Sequence, residues 1–164
     1  MSLETLRAEL VRYLQEWDVP ARAGWPGKGM GERQEPVVAV TLKQGRLGPA
    51  GFQNYLGEEW DPEKGQWTER YGRKAELVFG LDIYGGGRTG EADLQAAFDR
   101  MARALMDRGP EGLLVQEFSC GETEYDSRCG RMKKPAQAVC AAYVWNEEER
   151  ETFREIEVRG GMRQ

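Results

Sequence analysis

Histidine is absent from the 164 residues. That absence excludes a Ser/His/Asp triad, a Cys/His dyad, a histidine general base and any metal site that depends on imidazole, because each needs a ring that titrates near neutrality or offers a ligating nitrogen. Cysteine is scarce and odd in number, at three, which argues against a disulfide scaffold and for reduced thiols. No run approaches the ~18 consecutive apolar residues of a membrane span. Glu4, Arg7 and Glu9 stand where a signal peptide would carry an apolar block, so the expectation is a protein made and kept in a cytoplasm. Basic residues are the minority: 23 Lys and Arg against 28 Asp and Glu give a net charge of −5. That sign disfavours DNA or RNA as a specific partner. The missing histidine leaves few of the common hydrolase mechanisms open.

Apolar residues make up 40% of the chain, and 21 of its residues are glycine, well above the usual ~7%. The length suits one domain spanning residues 1–164, globular but rich in loops. Leu3, Leu6, Leu10, Tyr13, Leu14 and Trp17 recur at spacings of three and four. With Ser2 as N-cap and Pro20 as a stop, they predict a helix over 2–18. A Gly-rich connector at 24–35 leads to a strand at Val37–Leu42. The next stretch, 43–72, reads as a Gly/aromatic excursion: KQGRLGPAG as loop, then irregularly spaced aromatics with a hairpin turn at DPEKG. Ala75, Leu77, Phe79, Leu81 and Ile83 alternate against polar residues, the mark of an antiparallel strand covered on one side. A second amphipathic helix is expected from about Gly90 to Arg108. Strands at Leu113–Ser119 and Pro135–Trp145 flank a polar hairpin tip at 119–134, and a last strand is expected at Thr152–Val158. The fold class is α+β, a mostly antiparallel sheet with two amphipathic helices packed on one face.

Gly85-Gly86-Gly87-Arg88-Thr89-Gly90 matches G-x-G-x-x-G between a strand and a helix, where backbone amides can cradle a pyrophosphate. Its context argues otherwise. The preceding strand is one-faced, no series of βα units follows, and Glu91 and Asp93 would repel phosphate. The spacings of Cys120, Cys129 and Cys140 do not resemble zinc pairs, and Cys140 sits on an alternating apolar face as a core residue. Cys120 and Cys129 bracket the tip and are open to pairing across it. Glu122, Glu124 and Asp126, and likewise Glu147-Glu148-Glu149, read as solvated turn charge. Beside the first group, Arg128, Arg131, Lys133 and Lys134 give the tip both signs, a surface suited to a protein partner. Trp17 and Trp145 fit the helix stripe and a strand. Trp25, Trp60 and Trp67, with Tyr55, lie in Gly- and Pro-broken segments; they are either interface anchors or a satellite cluster folded back on the core.

The order of LETLRAELVRYLQEW, EPVVAVTL, the excursion, KAELVFGLDIY, EADLQAAFDRMARAL and closing strands ending in REIEVRGG resembles the tail-terminator and tail-completion proteins of long-tailed bacteriophages and related prophage particles. The resemblance covers most of the chain and carries no catalytic motif. It implies a structural, non-enzymatic, ring-forming homo-oligomer without catalytic residues, cofactor or metal, with a hexamer among the sizes it allows. Such a ring caps the tail-tube protein, meets the head–tail connector, and passes from the host bacterial cytoplasm during assembly to the virion tail. The acidic balance fits protein partners and a lumen to which DNA does not stick. Two alternatives stay open: a nucleotide-binding enzyme using Gly85–Gly90, and a small acidic bacterial binding module.

Overall fold

A computed structural model of the chain describes residues 1–24 and 35–145. Ser2 accepts a hydrogen bond from the Thr5 amide and opens α1 (Leu3–Glu16). Leu6, Leu10 and Leu14 are fully buried, each burial contributing about 1.5–3 kcal/mol. Trp17 does not join that stripe: it caps the helix and stays 42% exposed against Tyr13. After β1 (Ala21–Ala23) and β2 (Val37–Gly48), a 3-10 turn at Phe52–Asn54 leads to β3 (Tyr55–Asp61) and β4 (Gln66–Tyr84). Then come α2 (Glu91–Asp107), β5 (Leu113–Cys120), β6 (Glu124–Asp126), β7 (Arg131–Lys134) and β8 (Ala136–Trp145).

The 19-residue β4 is the axis of the eight-stranded sheet. β2 runs antiparallel along its residues 74–84 and β3 along 66–71. β8 pairs with 72–80 and carries β5 on its other side, while β7 meets Ile83 and Tyr84 and carries β6. Among the described residues only β1 and β2 pair in parallel, so the sheet is mixed and mostly antiparallel, as the one-faced alternation predicts. Ala75, Leu77, Phe79, Leu81 and Ile83 are all fully buried, in one cluster with the apolar stripes of both helices.

Three expectations need correction. Residues 43–48 are strand rather than loop: β2 continues through them, with a bulge between Leu42 and Gln44, because β4 offers an unbroken ladder opposite. Cross-strand hydrogen bonds override the low strand propensity of QGRLG. The segment 119–134 is not a free tip either. It folds into the β6–β7 hairpin, which pairs back onto the end of β4 and packs Cys129 against a second small core of Val37, Ala39 and Tyr84. The charge carried by Asp126 is consequently buried and not solvated. The strand expected at 152–158, the acidic run 147–149 and Trp25 lie outside the described residues.

Candidate functional site

β3 and β4 form a two-stranded arm over residues 55–71, turned at Pro62–Gly65. Asp61 closes the turn by accepting from the amides of Glu63 and Lys64, and Gly65 supplies the positive φ of +61° that the turn requires. At its root, β4 passes so close to β8 that a Cβ on Gly72 would lie 2.0 Å from the Val144 carbonyl oxygen. Glycine there lets the arm leave the sheet without parting from β8.

Register decides what the arm presents. Tyr55 stands opposite Tyr71, Glu58 opposite Glu69 and Trp60 opposite Trp67, so all six side chains share one face. Both aromatic pairs meet edge to face with ring centroids 5.6 Å apart, a geometry worth about 0.5–1.5 kcal/mol per pair. Trp60 and Trp67 remain 48% and 61% exposed, and Tyr55 is 41% exposed, so these rings are not a satellite of the core. Between the aromatic pairs lie two like charges directly opposite each other. No cation pairs with either among the described residues; Tyr71 Oη donates to Glu69 at 2.7 Å. Desolvation, with the field of the two glutamates added to it, raises the Tyr55 hydroxyl above its usual pKa. The arm's other face turns back on the fold. Thr68 is buried and donates to the Glu59 carbonyl, while Arg70 pairs with Glu59 and stacks on Trp145 at 4.4 Å.

Of the eight interface candidates, the structure gathers Tyr55, Trp60 and Trp67 on this face. The four basic ones sit at the opposite end of β4 and are largely consumed there. Arg128 forks onto Asp126 at 2.9 and 3.1 Å, Lys133 pairs with Glu124 at 3.2 Å, and Arg131 donates to the Gly85 carbonyl. Lys134, grouped with them by sequence, is buried with its Nζ on the Gly121 carbonyl. Arg128 holds Asp126 down at a pKa of about 2, while burial pushes the neighbouring Tyr84 hydroxyl up to about 12. Glu58, Glu69 and Tyr71 were missed. The signal was present in Trp67-x-Glu69-x-Tyr71, which reads as a strand face once the DPEKG turn is placed.

The glycine loop borders a recess of about 540 Å³ whose lining includes Arg88, Thr89, Arg100, Asp18, Glu35 and Asp93. Several of its amides are engaged within the fold. Gly85 N–H donates to the Met132 carbonyl, Gly86 N–H to Thr89 Oγ1 and Gly90 N–H to Asp93. All three thiols are free, and Cys140 is buried, which pushes it up to about 12. Among the described residues no group of three or more Cys, Asp or Glu converges as a metal site, and no helix is long and apolar enough to cross a membrane. Comparison with protein-family models and with curated proteins returns no match to this chain.

Proposed function

We propose that the chain is a non-enzymatic assembly subunit that docks head to tail on copies of itself into a ring, as the resemblance to phage tail-terminator and tail-completion proteins implies. In that role the ring ends the tail tube and meets the head–tail connector, first in the host cytoplasm and then in the virion. The observation that carries the reading is the arm: a face on which Tyr55, Trp60 and Trp67 stay exposed, anchored on the packed sheet through β4. Exposed aromatics on a rigid element are the usual anchors of protein interfaces, and a heterologous contact repeated around an axis closes into a ring. The bonds that the amides of Gly85, Gly86 and Gly90 already make leave the glycine loop fewer donors for a phosphate, which weighs against the nucleotide alternative. Sedimentation velocity over a wide concentration range tests the proposal. The expected result is a mass that rises with concentration to a plateau; a strict monomer at high concentration would overturn it.

A further inference from the structure

The arm's exposed face has a composition that narrows its partner. Like charges directly opposite across two strands destabilise a hairpin, yet Glu58 and Glu69 occupy such a pair between Trp60–Trp67 and Tyr55–Tyr71. Aromatic walls around two carboxylates favour a guanidinium, which stacks on rings and forks onto carboxylate oxygens. Between residues 55 and 71 the arm carries five acids, Glu58, Glu59, Asp61, Glu63 and Glu69, against Lys64 and Arg70, so its net charge is negative.

The same chain offers a matching surface on α2. Arg100, Arg103 and Met106 follow one another at three-residue spacing on its outer side, all exposed. Neither arginine makes an ion pair among the described residues, unlike Arg128 and Lys133. The ridge rises about 9 Å from Arg100 to Met106, comparable to the roughly 7 Å between the glutamate pair and the tryptophan pair on the arm. Two arginines then face two glutamates, and the methionine faces the indoles, where sulfur–aromatic contact is favourable. The contact is intermolecular. Glu69 stands six residues beyond Ala75, about 20 Å along the strand, whereas α2 packs over β4, β5 and β7.

We infer that the Glu58–Glu69 face of one copy's arm receives the Arg100–Arg103 ridge of α2 on a second copy. The inference rests on the self-assembly reading and names its interface. Its test is charge exchange, read by sedimentation of the full chain at low salt, with circular dichroism confirming each fold. Glu58→Arg with Glu69→Arg, and separately Arg100→Glu with Arg103→Glu, are each expected to weaken self-association by more than about tenfold. A mixture of the two variants, each supplying one complementary surface, is expected to recover association. Glutamine at the same four positions, which removes charge without adding repulsion and guards against misfolding, is expected to weaken association less. If the parent chain associates and neither reversal weakens it, or the mixture recovers nothing, the interface is wrong while self-assembly stands. If the parent chain does not associate at all, both fall.

Discussion

The least economical residues in the molecule are Glu58 and Glu69, because the fold gains nothing from holding them opposite each other. A monomer selected only for stability would place a cation at one of these positions. Replacing Glu58 by Lys converts a repulsive cross-strand pair into an attractive one and is expected to raise the stability of the monomer by about 0.2–1 kcal/mol. Urea unfolding at a dilution that keeps the chain monomeric would register this as a higher midpoint; an unchanged or lower midpoint would show that the pair costs nothing. At this scale the site was partly legible. Tyr55, Trp60 and Trp67 declared themselves as aromatics with no place in a core, whereas the glutamates did not. The bulge between Tyr55 and Gly57 breaks the period of two on β3. The spacing of Tyr55, Glu58 and Trp60 therefore looks irregular until the pairing with β4 is known.

Among the elements, both helices and the alternating half of β4 were readable within about two residues at their ends, since amphipathic period and caps are local signals. The continuation of β2 and the docking of β6–β7 were not, because each depends on a partner strand remote in sequence. That hairpin carries a titratable signature of its own. Asp126 accepts from the Arg128 side chain and amide and from Tyr84 Oη at 3.4 Å, and its pKa drops from 3.8 to about 2. A depressed carboxylate contributes stability that is fully present above the unfolded-state value and is lost as pH falls through the folded one. The stability that the Asp126–Arg128 pair contributes is therefore expected to hold down to about pH 4 and to weaken towards pH 2. Stability measured across that window should fall more steeply for the parent chain than for Asp126→Asn; parallel curves would show that the carboxylate carries no such load.

Taken whole, the molecule has two unlike ends joined by one strand. At the Tyr84 end, acids and bases of the hairpin are spent on one another; at the other, the arm stands beyond the helix-covered sheet with Tyr55, Trp60 and Trp67 exposed and Glu58 and Glu69 in no ion pair among the described residues. Such polarity suits a subunit that gives one surface and receives with another, because a contact between unlike patches propagates from copy to copy until rotation closes it. A self-complementary patch would stop at a pair. Salt should weaken the association, as exposed charges are screened over about 10 Å at 0.1 M. Native mass spectrometry of the purified chain at assembly concentrations tests this account most directly. It predicts one closed oligomer of fixed stoichiometry above two; a monomer, a simple dimer or an open-ended ladder of sizes would contradict it.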